Sequence, residues 1–114
     1  MGLSAKQCTP CRGGIPPLGR TEAERLLGDT PGWTLDADAR KIERAFRFPD
    51  FAQALAFVEK VAAVAEAEDH HPDICFGWGY CQVVFSTHKI KGLHENDFIM
   101  AAKVNDLAPS TGAS

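Results

Sequence analysis

The sequence predicts an α+β domain in which helices cover one face of an antiparallel sheet. Two segments have the alternation and turn residues of β-hairpins, and a helical pattern precedes, separates and follows them. The length of 114 residues fits one domain with one modest core. Because the other face and the edges of such a sheet stay uncovered, we also expect self-association.

The first 20 residues are rich in Pro and Gly, and we expect an irregular or mobile arm there. The first helix is predicted to begin at Thr21, which with Glu24 has the spacing of a capping box, and to end at Gly28. The folded domain is therefore predicted to span 21–107.

The first hairpin and the longest helix follow in order. Residues 33–35 and 42–48 suit two strands, joined by a polar connection. Asp50 is a suitable N-cap for the long helix, which should end near residue 69 or 70 because Pro72 cannot continue it. Its apolar side is predicted from helical spacing to consist of Phe51, Leu55, Val58, Val61, Ala62 and Ala65.

The second hairpin is predicted over 74–87, with its turn at the Gly-Trp-Gly of residues 77–79. A last helix follows at about 95–107, and the small polar residues 108–114 are expected to be frayed. The alternation of the return strand predicts one shared buried face formed by Cys81, Val83 and Phe85.

The composition excludes several classes of protein. With 12 Lys and Arg against 15 Asp and Glu, the net charge of −3 argues against nucleic acid as a direct ligand. No apolar run reaches the roughly 18 residues that cross a bilayer, so we expect no membrane association. Residues 1–14 lack the apolar stretch of a secretory signal, and we expect a cytoplasmic protein.

The four cysteines form no recognisable framework. Cys8 and Cys11 make a lone CxxC in the arm, whereas Cys75 and Cys81 have the wrong spacing to complete a zinc site. The pattern favours reduced thiols without site chemistry. Intermolecular pairing or metal binding by the arm is the alternative.

Three histidines lie where elements change direction. His70 and His71 precede Pro72 at the end of the long helix, and His88 ends the return strand of the second hairpin. Glu66 lies one helical turn before His70, so we expect their side chains to meet. Capping of a helix C-terminus would explain one histidine, but three in so small a domain favour a functional site.

Spacing leaves the kind of site open. Glu66, His70 and His88 could form a two-histidine, one-carboxylate iron set, or a zinc site. However, adjacent helical residues project about 100° apart, so His70 and His71 do not easily serve one ion. Uncoordinated imidazoles instead suit proton transfer near neutral pH, one as acid and another as base.

The pattern of these residues resembles the pterin-4a-carbinolamine dehydratase family. That family has an acidic residue, three positions, His-His-Pro, then an aromatic residue, a histidine and an Asp at fixed intervals. The resemblance covers about residues 21–107 and leaves the cysteine arm outside. The matching residues are the run Glu66-Ala67-Glu68-Asp69-His70-His71-Pro72, then Trp78, Ser86-Thr87-His88 and Asp97.

The resemblance implies a four-stranded antiparallel sheet with three helices packed on one face, assembled into homodimers or homotetramers. The implied reaction, in tetrahydropterin recycling, is loss of water from 4a-hydroxytetrahydrobiopterin to give quinonoid dihydrobiopterin, without metal or redox cofactor. The alternative is a non-catalytic binding module, since family members also act as a dimerisation cofactor of a homeodomain transcription factor or as assembly factors.

The resemblance also implies roles for individual residues. His70, His71 and His88 match the catalytic histidines, and the last helix carries His94 where a Ser often caps it, so a weaker cap is expected. Trp78 stands where Tyr is common. The supporting carboxylates would be Glu66, Asp69 and Asp97, and the substrate-binding residues Ser86, Thr87 and Trp33.

Overall fold

The computed structural model describes residues 3–8 and 16–108, and it confirms the predicted α+β class. A four-stranded antiparallel sheet and three α-helices follow one another in the expected order. The elements are α1 (Arg20–Leu27), β1 (Thr34–Leu35), β2 (Ile42–Arg47), α2 (Phe51–Glu68), β3 (Asp73–Gly77), β4 (Tyr80–Phe85) and α3 (Glu95–Leu107), with 3₁₀ helices at Leu3–Ala5 and His88–Ile90.

The sheet has the strand order β1-β2-β4-β3, with every neighbouring pair antiparallel. Phe46 of β2 and Phe76 of β3 both lie opposite Cys81 of β4, so their side chains share one face. Cys81, Val83 and Phe85 are fully buried, as their alternation predicted. This face packs against the helices and forms the core.

Helix α2 begins and ends where the sequence predicts. The Asp50 carboxylate accepts a hydrogen bond from the Gln53 amide at 2.9 Å, and Asp69 ends the helix in the left-handed conformation, with φ of 54°. The predicted apolar side was wrong in part, because Phe51, Leu55 and Ala62 are exposed. Since the helix carries apolar residues on all its sides, spacing alone does not show which of them are buried. The buried residues are Ala54, Phe57, Val61 and Ala65.

Helix α1 differs from its predicted start. It begins at Arg20 after Gly19, and no side chain caps it. Thr21 therefore lies within the first turn, where it is not at the capping position, and the predicted capping box with Glu24 was wrong. Gly28 follows the last residue of the helix, as expected, and its amide donates to the Glu24 carbonyl at 3.3 Å.

Part of the predicted N-terminal arm packs against the domain. Leu3–Ala5 forms a 3₁₀ helix packed against α3, and Leu3 is buried as part of the core. Residues 9–15, with Cys11, and residues 109–114 of the predicted tail lie outside the described residues.

Helix α3 lies deepest in the molecule, between the N-terminal residues, the other helices and the sheet. Every residue from 96 to 102 is buried, including the polar Asn96 and Asp97. Helix α3 therefore presents polar groups to the interior at its first turn. Among the described residues, no helix is both long enough and apolar enough to cross a membrane.

Candidate active site

A cavity of about 400 Å³ lies where the end of α2, the residues after β4 and the start of α3 meet. The three histidines predicted as a site all line it, although they come from two separate parts of the chain. Its walls are formed by Cys8, Glu68, Asp69, His70, His71, Ser86, Thr87, His88, Lys89 and Asn96.

His70 is the most firmly held of the three. Its side chain is only 9% exposed, and Nε2 lies 2.6 Å from Oδ1 of Asp97. The imidazole also stacks on Phe85, with ring centroids 6.1 Å apart and an interplanar angle of 15°. These contacts on two sides fix the orientation of the ring.

The expected contact between Glu66 and His70 was wrong. Asp69 adopts a left-handed conformation, so the helix ends before His70 and the one-turn spacing does not extend to it. His70 turns towards the start of α3 instead, where it meets Asp97. Glu66 pairs with the next residue, His71.

Asp97 organises this end of the cavity without lining it. One carboxylate oxygen accepts hydrogen bonds from the Thr87 hydroxyl at 2.7 Å and from the His94 amide at 3.0 Å. The other oxygen faces His70 Nε2. Because an ionised carboxylate only accepts, Nε2 places its hydrogen towards Asp97, which leaves Nδ1 of His70 as the ring nitrogen that can exchange a proton with a bound molecule.

His71 is held much less firmly. Its imidazole pairs with Glu66 on the outside of α2, and the two side chains are 52% and 76% exposed. Water therefore screens this ion pair.

His88 comes from the residues that follow β4. Strand β4 ends at Phe85, three residues earlier than the predicted strand end at His88, which instead begins the 3₁₀ helix His88–Ile90. Thr87 and Gly92 close this segment through hydrogen bonds of 2.8 and 3.4 Å between their backbones. His88 is exposed at the cavity.

The remaining predicted residues divide into two groups. Asp69, Ser86 and Thr87 line the cavity with the histidines, whereas Glu66 and Asp97 do not line it and contact His71 and His70 respectively. Trp33 lies in the core, 4% exposed, where its Nε1 donates to Oδ1 of Asn105 at 2.8 Å. The structure does not bring Trp33 to the cavity.

The side chain of His94 caps the start of α3. Its Nδ1 accepts a hydrogen bond from the Asn96 amide at 3.0 Å, and Asp97 accepts from the His94 amide, which together make a capping box. An imidazole nitrogen takes the place of the hydroxyl as the acceptor. The three-residue spacing of His94 and Asp97 is the signal that indicates this.

Cys8, Glu68, Lys89 and Asn96 also line the cavity, and sequence reasoning did not predict them. The backbone amide of Cys8 contacts the carboxylate of Glu68, although the two residues lie 60 positions apart along the chain. No local pattern indicates this contact, because it depends on how the N-terminal residues pack.

The structure shows whether Glu66, His70 and His88 lie close enough together to bind one iron or zinc ion. Within residues 3–8 and 16–108, no three His, Cys, Asp or Glu side chains are grouped so that they could hold a metal ion. The structure therefore does not assemble Glu66, His70 and His88 as ligands of one ion. It offers instead several imidazoles around one open cavity, which can donate and accept protons on a bound molecule.

The family model for pterin 4 alpha carbinolamine dehydratase matches residues 16–107 of this chain. A Methylococcus capsulatus protein named "Putative pterin-4-alpha-carbinolamine dehydratase" is 64% identical over 93% of this chain and 93% of its own length. A relative of the same name from Aromatoleum aromaticum is 57% identical over 95% of this chain and 96% of its own length.

Two solved structures share the fold. A Brucella melitensis protein titled a transcriptional coactivator/pterin dehydratase is 33% identical, with a TM-score of 0.77, over 82% of this chain and 99% of its own. A pterin dehydratase-like protein identified as a RuBisCO assembly factor in the alpha-carboxysome is 28% identical, with a TM-score of 0.60, over 70% of this chain and 93% of its own. The match over residues 16–107, together with relatives that agree over nearly their whole length, shows that this chain belongs to the pterin 4 alpha carbinolamine dehydratase family.

Proposed function

We propose that this protein dehydrates 4a-hydroxytetrahydrobiopterin to quinonoid dihydrobiopterin and water, using histidines as acid and base. The observation that carries the proposal is the convergence of His70, His71 and His88 on one cavity within this family's fold. The volume of about 400 Å³ falls in the range of small-molecule sites.

The proposed reaction needs two proton transfers at neighbouring atoms. One group protonates the departing 4a-hydroxyl, the C4a–O bond breaks, and water leaves. Another group removes the proton from N5 as the C4a–N5 double bond forms. The change is a loss of water without transfer of electrons to an acceptor, so we propose that neither a metal nor a redox cofactor takes part.

We assign the role of acid to His70 and His88, each serving the hydroxyl of a different stereoisomer. They come from different elements, the end of α2 and the residues after β4, which supports action from different sides of a flat ring. His71 would hold the pterin and take a proton. Glu66, Asp69 and Asp97 would orient the imidazoles, while Ser86 and Thr87 would contact the ring.

We further propose a homodimer or homotetramer that works in the cytoplasm. The sheet ends at the edge strands β1 and β3, which supports association between copies.

A non-catalytic binding role is the second candidate. The solved structure identified as a RuBisCO assembly factor favours it, as do the exposed side chains of Phe51, Trp78 and Tyr80. Exposed aromatic side chains are common at protein–protein contacts. This role would not depend on the three histidines.

The test is the rate of dehydration of each 4a-carbinolamine stereoisomer with and without the protein. We expect the double variant His70→Gln, His88→Gln to approach the spontaneous rate, since loss of one acid or base costs about 100-fold to 10,000-fold. Glutamine keeps a donor for Asp97, and circular dichroism checks the fold. Each single variant should lose more rate with one isomer than with the other.

A double variant that keeps full activity while folded would contradict the assignment of the histidines. A wild-type protein that accelerates neither isomer would contradict the dehydratase and favour the binding module.

A further inference from the structure

The first turn of α3 is capped by a group that can be protonated near neutral pH. Nδ1 of His94 accepts the hydrogen bond of the Asn96 amide at 3.0 Å. A backbone amide can only donate, so Nδ1 has no hydrogen in this arrangement and the ring is neutral, with its hydrogen on Nε2. The cap therefore exists only while Nδ1 of His94 is unprotonated.

Protonation of this ring would remove the cap. An imidazolium has a hydrogen on both nitrogens and no lone pair that could accept from Asn96. Its positive charge would also lie at the N-terminus of a 13-residue helix, where the helix dipole disfavours a cation. His94 is half-buried, so protons from water reach the ring. Histidine is also the side chain whose charge ordinarily changes between about pH 5 and pH 8.

The charged and titratable side chains around the first turn of α3 come from the N-terminal residues, α1, α2 and the residues after β4, as well as from α3 itself. They are Lys6, Arg25, Glu68, His70, Lys89, Glu95 and Asp97. Among the residues that the structure describes, none forms an ion pair with the ring of His94. A positive charge on this ring would therefore gain no ion pair in place of the lost hydrogen bond.

The cap is connected to His70 through Asp97. The His94 amide and the Thr87 hydroxyl donate to one oxygen of this carboxylate, and the other oxygen faces Nε2 of His70. If His94 leaves the capping position, its amide leaves Asp97 as well, because both hydrogen bonds belong to one capping box. Thr87 still holds the carboxylate, so His70 would be oriented less firmly rather than released.

We infer that His94 is a positioning residue for His70, that it acts through Asp97, and that protonation of its ring weakens this positioning. The neutral ring closes the capping box, and the box opens in acid. The effect on the first turn of α3 depends on these hydrogen bonds alone, whereas the effect on turnover rests on the proposed dehydratase function.

The test compares the wild type with His94→Ser and His94→Ala by urea unfolding at pH 8 and pH 5.5. Serine accepts a hydrogen bond at both pH values and alanine at neither, while the other histidines are the same in all three proteins. The unfolded chain accommodates a proton on residue 94, whereas in the folded protein it breaks the cap, so the wild type should lose stability as the pH falls. Relative to His94→Ser, its equilibrium constant for unfolding should rise about tenfold, and towards that of His94→Ala.

The second measurement is kcat for the 4a-carbinolamine at the same two pH values. The ratio of wild type to His94→Ser should fall about threefold in acid, since one hydrogen bond at Asp97 is worth about this factor. His70, His71 and His88 titrate in both proteins, so their effects cancel in the ratio. His94→Asn, whose amide oxygen also accepts at both pH values, should behave like His94→Ser.

An unfolding ratio that does not change with pH would overturn the inference and leave the proposed function intact. A changed unfolding ratio with an unchanged kcat ratio would overturn the positioning of His70 and confine His94 to the helix. Absence of activity in the wild type would overturn the proposed function and the effect on turnover with it, and the unfolding ratio would still decide whether protonation opens the cap.

Discussion

His70 and His71 are neighbours in the chain, and each pairs with a carboxylate, yet the two pairs lie in opposite environments. His70 and Asp97 have side chains 9% and 0% exposed, whereas His71 and Glu66 are 52% and 76% exposed. The same two chemical groups are thus held rigidly in one pair and screened by water in the other. The difference shows that environment, rather than residue type, decides how firmly a carboxylate holds an imidazole.

The comparison is tested most severely by Asp97→Asn. An amide in this place keeps the shape but only one acceptor oxygen. Because Thr87 and His94 both donate to the same oxygen of Asp97, the amide NH2 group would replace the oxygen that faces His70. We expect kcat to fall about 100-fold, because His70 loses its orientation. We expect the free energy of unfolding to fall by about 2 kcal/mol, because buried donors lose a charged acceptor. Kinetics and urea unfolding measure the two effects separately.

If Asp97→Asn kept full activity with lower stability, the carboxylate would serve only the helix cap. Thr87→Val is the matched comparison, because it removes one donor to Asp97 while leaving the contact between Asp97 and His70 in place.

The corresponding change at the exposed pair, Glu66→Gln, should have a much smaller effect. Exposed ion pairs contribute about 0–1 kcal/mol, so we expect kcat/KM to change by no more than about fivefold and stability by less than about 1 kcal/mol. The effect should decrease further as salt is added. A loss as large as that of Asp97→Asn would show that the two pairs are equivalent and would remove the contrast.

The cysteine thiols show the same difference between buried and exposed groups, and their reactivity can be measured without an activity assay. Cys75 is exposed, whereas burial raises the pKa of Cys8 to about 12 and that of Cys81 to about 11. A raised pKa means that the reactive thiolate is scarce until the pH approaches that value. At pH 8 we expect iodoacetamide to modify Cys75 at least about 10-fold faster than the other two. Peptide mass mapping over time measures this, and equal rates would contradict the packing around Cys8 and Cys81.

The fold was largely predictable because its signals are local. The alternation of Cys81, Val83 and Phe85 and the Gly-Trp-Gly turn predict the second hairpin, and Asp50 and Pro72 bracket α2. The sequence did not predict which apolar residues of α2 are buried, because Phe51 and Leu55 are as apolar as the residues that face the core.

The lining of the cavity was predictable in part, but its geometry was not. The adjacency of His70 and His71 before Pro72, with the family pattern, indicated six of the residues that line the cavity, which are Asp69, His70, His71, Ser86, Thr87 and His88. The pairing of His70 with Asp97 depends on the left-handed backbone of Asp69, which no rule of helical spacing contains. The position of Cys8 depends on a contact across 60 residues, which only tertiary packing determines.

The two oxygens of Asp97 connect the folding of α3 to the proposed reaction. One oxygen closes the first turn of the helix and the other contacts the imidazole of His70, so a single residue belongs to the secondary structure and to the candidate active site at once. Fraying of this first turn would release the imidazole before the rest of the domain unfolds. Activity in low denaturant would then follow hydrogen exchange at the His94 amide, and the enzyme would report the local opening of its own helix.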